Sequence, residues 1–133
     1  MKKKILFIDP VYNDDFCDAI SEYLDNEKKS DTDIEVISLG KKPGPEHLEY
    51  SCYEIMAMPD IVRMVKEAEE SGYDAAIIGC FYDPVLRACR EVAEKMVVSA
   101  PAESSLHIAS TIGEHFYYCW SSKMDARNKR NDS

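Results

Sequence analysis

The five cysteines form no C-x-x-C pair. An odd number of thiols with neither paired Cys/His spacing nor a disulfide rhythm excludes a stapled scaffold and a zinc site, and it points to a reducing cytosol. Long apolar runs are missing as well. Met1-Lys2-Lys3-Lys4 carries the charge of a signal peptide's start, but the apolar run behind it stops at Asp9-Pro10. That is too short for a signal core or a membrane span, so no membrane is expected as a partner. Positive charge is scarce: 16 Lys+Arg face 25 Asp+Glu, giving a net charge of −9. Over the first hundred residues no basic stripe with interleaved aromatics offsets that field, which excludes nucleic acid as a partner. No internal repeat is visible. At 133 residues the chain has room for one domain, able to bury roughly two-thirds of its unfolded surface without staples.

What is present centres on the stretch from Tyr73 to Pro84. Ala75 to Gly79 is short, continuously apolar and bounded by turn residues, which reads as a strand buried on both faces of a parallel sheet. Asp83 is placed to cap a helix, Pro84 suits its first position, and helix formers continue from Val85 to Lys95. Cys80 therefore falls between a strand's carboxyl end and a helix's amino end. Ligands bind at that edge of open α/β sheets, and a helix N-terminus favours thiolate over thiol. Most free cysteines are nevertheless inert, buried, small hydrophobes.

The remaining chain alternates strands and helices. Lys4 to Ile8 is a first strand, followed by a helix through Leu24 with Phe16, Ile20 and Leu24 on its inward face. Asp14, Asp15 and Asp18 at its start are acids favoured by the helix dipole rather than a magnesium site. Ile34 to Leu39 is a second strand with β-branched character. Gly40 to Tyr53 has no period and reads as a long functional loop. From Pro59 a helix places Ile61, Val62, Val65 and Ala68 inward and ends at Gly72. Met96 to Ser99 is a fourth strand, Glu103 to Ile112 a helix stopped by Gly113, and His115 to Trp120 a fifth strand. The alternation predicts an α/β fold with a doubly wound, mainly parallel sheet of four to five strands. Ser121 to Ser133 is polar and aperiodic, as a flexible tail is.

Several chemistries fail at Cys80. A cysteine phosphatase loop needs Cys-x5-Arg; Arg87 is one residue too far, Asp83 would repel phosphate and Pro84 removes a donor. A receiver domain needs an aspartate where Cys80 stands. A nucleophilic Cys-His pair finds His47, His107 and His115 on polar faces or loops.

Gly44-Pro45, Tyr53-Glu54, Ala57-x-Pro59, Val65-Lys66-Glu67-Ala68-Glu69, Gly72-Tyr73-Asp74-Ala75, Gly79-Cys80-Phe81-Tyr82-Asp83-Pro84, Arg90-Glu91 and Pro101-Ala102-Glu103-Ser104-Ser105 together resemble the aspartate/glutamate/hydantoin racemase superfamily. The hydantoin racemase branch is the nearest, and the likeness runs from about Ile5 to Phe116. It implies inversion without a cofactor or metal at an acidic carbon beside a carbonyl, in a hydantoin or amino acid. Two cysteines work from opposite faces, one thiolate taking the proton and the other thiol returning one.

Cys80 would be the first of these, with a reference pKa of about 8.5 to be lowered by the helix start. Asp9, Phe81, Tyr82, Glu103 and Ser104 would bind substrate, with the Phe81 and Tyr82 N–H groups facing enolate charge. Ile8-Asp9-Pro10 stands where that family often has Asn-Pro-Asn, so Asp9 is the departure that bears on the substrate. The second cysteine belongs to a second lobe, and Cys119 lacks the Asp-Pro signal that follows Cys80. The expectation is a racemase-like lobe over residues 1–120, a second lobe beginning near residue 100 and then cut short, and a small-molecule partner. A homo-oligomer could supply the missing thiol; a truncated inactive lobe or a non-catalytic binding domain are the alternatives.

Overall fold

The computed structural model describes residues 2–113 and His115. Eight elements alternate along them: β1 (Lys3–Asp9), α1 (Cys17–Glu27), β2 (Thr32–Ser38), α2 (Ser51–Glu70), β3 (Ala75–Ile78), α3 (Leu86–Val92), β4 (Val97–Ser99) and α4 (Pro101–Ile112). The sheet is parallel throughout, in the order β2-β1-β3-β4. The chain steps from β1 to one side and then returns past it to the other. Right-handed crossovers therefore put α1 on one face and α2 and α3 on the opposite one, with the reversal between β1 and β3. This is the doubly wound α/β sheet that the alternation predicted, with four strands among the described residues. A fifth strand at His115 to Trp120, the polar tail from Ser121 and Cys119 lie outside them, His115 excepted.

Strand parity explains the core. Leu6 and Ile8 of β1, Ala76 and Ile78 of β3 and Val98 of β4 point to one face, where Ala57, Ile61, Val65 and Ala68 of α2 and Leu86 and Cys89 of α3 meet them. Cys89 is wholly buried and burial pushes its thiol up to about 11, so it is an inert core residue. The other face is less covered: Val97 is 65% exposed.

Several boundaries differ from the sequence reading by a residue or two, and the three helix starts that differ most have physical reasons. Helix α2 starts at Ser51, not Pro59, and carries Pro59 inside it. An internal proline removes one i to i−4 bond, but Pro59 is exposed while Ala57 and Ile61 beside it are fully buried. Packing on both sides carries the helix through. Helix α1 starts at Cys17, so Phe16 is not on its inward face but 64% exposed before its first turn. Helix α3 is shorter than expected, because Asp83 and Val85 both take left-handed backbone (φ 49 and 52) and delay the first turn to Leu86. Gly72 does stop α2: with φ +81, the turn lets the Tyr73 N–H reach the Ala68 carbonyl at 3.1 Å.

Carboxylates tie these elements through backbone N–H groups. Glu69, at the end of α2, accepts from Glu94 (3.0 Å), Lys95 (2.6 Å) and Met96 (2.7 Å) and holds the approach to β4. Asp74 accepts from the Lys4 N–H at 2.8 Å and fixes the start of β3 against β1.

Candidate active site

The carboxyl ends of β1 and β3 meet at the point where the winding reverses, the position at which open α/β sheets bind ligands. The Gly79 N–H donates to the Ile8 carbonyl at 2.8 Å, so Asp9-Pro10 and Gly79-Cys80 leave the sheet side by side. A Cβ on Gly79 would lie 2.3 Å from the Phe7 ring, so any other residue there would have to displace that ring. A cavity of about 280 Å³ opens there. Asp9, Pro10, Phe16, His47, Cys80 and Tyr82 are among its walls, with Glu46, Leu48 and Glu49 closing it from the β2–α2 loop.

The Cys80 side chain is half-buried. Its backbone N–H donates to the Ile78 carbonyl at 2.9 Å and its carbonyl accepts from the Asp83 N–H at 3.0 Å, a tight turn that presents the thiol. Burial raises the thiol's pKa above its ordinary value, and the negative charges of Glu54, Asp83 and Asp9 push the same way. The Tyr82 N–H, hydrogen-bonded to the sulfur, works against them. The sequence reading expected a lowered pKa from a helix beginning at Pro84. That is corrected: α3 starts later, and burial beside acidic groups outweighs the one N–H. Cys80 is therefore a neutral thiol near pH 7, a proton donor as it stands.

Asp9 is 8% exposed at the end of β1. Burial raises its pKa, and the described residues give its carboxyl no hydrogen-bond donor. Tyr82 shares the cavity with Asp9 and Cys80, its N–H committed to the sulfur. Phe81 is 48% exposed in the same turn. Glu103 and Ser104 lie elsewhere. Glu103 grips Arg90 through both carboxylate oxygens, at 3.0 and 2.5 Å, and Ser104 Oγ lies 2.9 Å from Ser99 Oγ. Neither lines the cavity.

Asp83 has a different task from the one its position suggested. Its side chain does not cap α3; α3's cap residue is Val85, without a side-chain bond. Its two oxygens instead accept the Ala102 and Glu103 N–H groups at 2.9 and 2.6 Å and cap α4 from a distance. Left-handed backbone at Asp83 turns the carboxylate that way.

The sequence reading placed His47 on a surface; the structure puts it in the cavity wall. Its Nδ1 accepts from the Glu49 N–H at 3.4 Å and its ring stands edge-on to Tyr53, centroids 5.1 Å apart. The loop bearing it is anchored by Tyr12, whose N–H donates to the Pro45 carbonyl (3.0 Å) and whose hydroxyl donates to Asp60 (2.5 Å). The Tyr12 ring packs so closely on Gly44 that a Cβ there would lie 2.4 Å away. The available signal was the length of the Gly40 to Tyr53 segment.

A family model described as Asp/Glu/hydantoin racemase matches residues 5–117. A hydantoin racemase of Pseudomonas sp. (strain NS671) is 38% identical over 85 residues, covering 64% of this chain and 34% of that protein. A hydantoin racemase of Paenarthrobacter aurescens is 30% identical over 114 residues, covering 85% and 47%. Among solved structures, an allantoin racemase from Klebsiella pneumoniae superimposes with a TM-score of 0.72 at 25% identity, over 83% of this chain and 44% of that one. The chain thus spans less than half the length of these relatives. With the match extending from β1 past the end of α4, and the same fold in a racemase, this chain belongs to the Asp/Glu/hydantoin racemase family.

Proposed function

We propose that this chain forms one half of a cofactor-independent racemase site, with Cys80 as one of two thiol acid/bases acting at the acidic α-carbon of a hydantoin or amino acid. The observation that carries the reading is Cys80 in the wall of the β1/β3 cavity, its sulfur held by the Tyr82 N–H. A positioned thiol of this kind can protonate a carbanion on the face it addresses, or remove a proton once ionised. Inversion needs a second group on the other face. Among the described residues Cys80 is the cysteine lining the cavity, so the second thiol would come from a further segment or from a second copy of the chain across an interface. The setting is the cytosol, consistent with free cysteines; among the described residues no helix is long and apolar enough to cross a membrane.

The test counts bases. An enantiopure 5-substituted hydantoin incubated with the protein in D2O should take up deuterium at C5 in a Cys80-dependent way. With Cys80 alone, optical rotation is retained; with a second thiol it decays. Exchange indifferent to Cys80→Ala overturns the reading. Sedimentation across a concentration series separates the two sources of the second thiol.

A further inference from the structure

Residues 83–85 are held in a conformation that their sequence disfavours. Asp83 and Val85 both take left-handed backbone, with φ 49 and 52. A residue before proline is pushed toward extended backbone, and a β-branched residue in the left-handed region is an outlier. Strain of this kind persists only where the surroundings fix it. Pro84, fully buried, pins the middle of the segment. The Asp83 carboxylate pins its start, through the Ala102 and Glu103 N–H groups at 2.9 and 2.6 Å. The backbone of the same residue closes the Cys80 turn, its N–H donating to the Cys80 carbonyl at 3.0 Å, and within that turn the Tyr82 N–H meets the sulfur. Asp83 thus joins the thiol to the first turn of α4, a helix whose far end is lightly held, with Ile108 and Ile112 well exposed.

We propose that Asp83 is a positioning residue for Cys80 and that α4 controls it: seated, α4 holds the turn that aims the Tyr82 N–H at the sulfur; released, it lets the turn relax and leaves the thiol harder to ionise. Two effects share this sign. Relaxation of Asp83 toward extended backbone opens the turn and withdraws an N–H that favours the thiolate. It also parts the Asp83 carboxylate from two donors and from the positive end of α4, so its negative charge acts on the sulfur with less compensation. The other charged and titratable groups around Cys80 stand on elements apart from α4: Asp9 at the end of β1, Glu54 in α2, and Glu46, His47 and Glu49 in the β2–α2 loop. The coupling goes beyond the racemase reading and does not depend on it, since it concerns the ionisation of the thiol and not its substrate.

The test titrates each cysteine by pulsed iodoacetamide alkylation and mass spectrometry in wild type, Ser105→Pro, Asp83→Ala and the double variant. Ser105 is exposed in α4, and proline there removes an i to i−4 bond and breaks the helix. Hydrogen exchange at the Ala102 and Glu103 amides shows that α4 has been released. The half-point of each pH profile is read, because altered access changes a profile's height and not its midpoint. In Ser105→Pro the Cys80 half-point should move to higher pH, with about a threefold loss of thiolate near neutrality, while Cys17 and Cys52 keep their profiles. In the Asp83→Ala background there is no tether to lose, so Ser105→Pro should leave the half-point in place. If Ser105→Pro does not fold or keeps α4 protected, Ser105→Gly combined with Ala109→Gly loosens the helix without a clash and is read in the same way. An unmoved or lowered Cys80 half-point with α4 released, a shift of equal size in the Asp83→Ala background, or an equal shift at Cys17 each overturns the proposal. A protein that shows the coupling yet exchanges no deuterium at C5 would lose the racemase reading and keep this one.

Discussion

Replacing Asp83 should release a helix 20 residues away and leave most of the domain in place. Its carboxylate holds two first-turn N–H groups of α4, those of Ala102 and Glu103, at 2.9 and 2.6 Å. The Arg90–Glu103 ion pair and the Ser99–Ser104 hydroxyl contact tie the same first turn, and the rest of the helix is lightly packed. Ala102 is its buried residue, while Ile108 and Ile112 are 64% and 83% exposed. Loss of a capping side chain costs about 0.5–2 kcal/mol, and alanine in left-handed backbone adds about 1 kcal/mol over aspartate at φ 49. Asp83→Ala should therefore weaken α4's attachment by about 1.5–3 kcal/mol; Asp83→Asn, which keeps one acceptor and tolerates the same backbone, by about 1 kcal/mol. At about 1.36 kcal/mol per tenfold, the alanine variant's amides in α4 should exchange roughly 10- to 150-fold faster. Native-state hydrogen exchange reads this amide by amide, and core amides of β1 and β3 serve as the reference. Unchanged protection of the Ala102 and Glu103 amides in Asp83→Ala would refute the cap. A uniform loss across β1 and β3 would show instead that α4 and the sheet unfold as one unit.

Other outcomes follow from the same geometry. Exposed Cys52 should alkylate before Cys80 at neutral pH, and buried Cys89 last; Cys80 labelling should keep accelerating above the ordinary thiol value of about 8.5, and Asp83→Asn should move that rise to lower pH. A Cys80 rate that levels off below pH 8 would contradict the raised pKa. Cys80 and Cys89 both have raised folded-state pKa values, so their contribution to stability is complete below the unfolded thiol's pKa and is lost as pH climbs through the folded values. Cys89→Ala should flatten the fall in stability between about pH 9 and 11. Glu69 and Asp74 are shifted the other way, lowered by the backbone N–H groups they accept. Their contribution is present above the ordinary carboxylate range and lost as pH falls through the depressed values. Glu69→Gln should move the acid-unfolding midpoint, followed by circular dichroism, to higher pH. Gly44→Ala should drive a methyl group into the Tyr12 ring and displace the loop carrying Glu46 and His47; overpacking of this kind costs about 1–3 kcal/mol. An unchanged urea midpoint would show that the loop yields freely.

The strand and helix alternation was legible because it is local. Ala75 to Ile78 is apolar and β-branched, Ile61, Val65 and Ala68 repeat at helical spacing, and Gly72 ends the helix. Placing Cys80 at a strand's end needed nothing more. The misreadings share a cause: they depend on partners distant in sequence. Pro59 opens a helix by local rule, yet burial of Ala57 and Ile61 carries one through it from Ser51. Asp83 beside Pro84 satisfies every local requirement for capping α3, while its oxygens reach α4. Cys80's pKa is raised first by burial and in part by Glu54 and Asp9, which no window around residue 80 contains. Glu103 and Ser104, assigned to the site by family likeness, are held by Arg90 and Ser99, and their part in binding stands as a proposal for the complete cleft. His47 reaches the cavity because Tyr12 pins its loop, a contact invisible to composition.

Strand order has a consequence for how the chain assembles during synthesis. β1 is an inner strand, pairing with β2 from Lys3↔Thr32 and with β3 from Ile5↔Ala75. It leaves the ribosome before both of its neighbours. Its first pairing spans some 30 residues, but the tie from the Lys4 N–H to Asp74 spans 70. Until then the β1 edge that will face Gly79 is open, with Leu6 and Ile8 uncovered. Pairings of such long range are slow and leave apolar strand edges unprotected while they wait. The cleft between Asp9 and Cys80 thus forms only once β3 has been made, and a nascent chain held short of β3 should be more exposed to aggregation and to chaperone capture than one that has passed it.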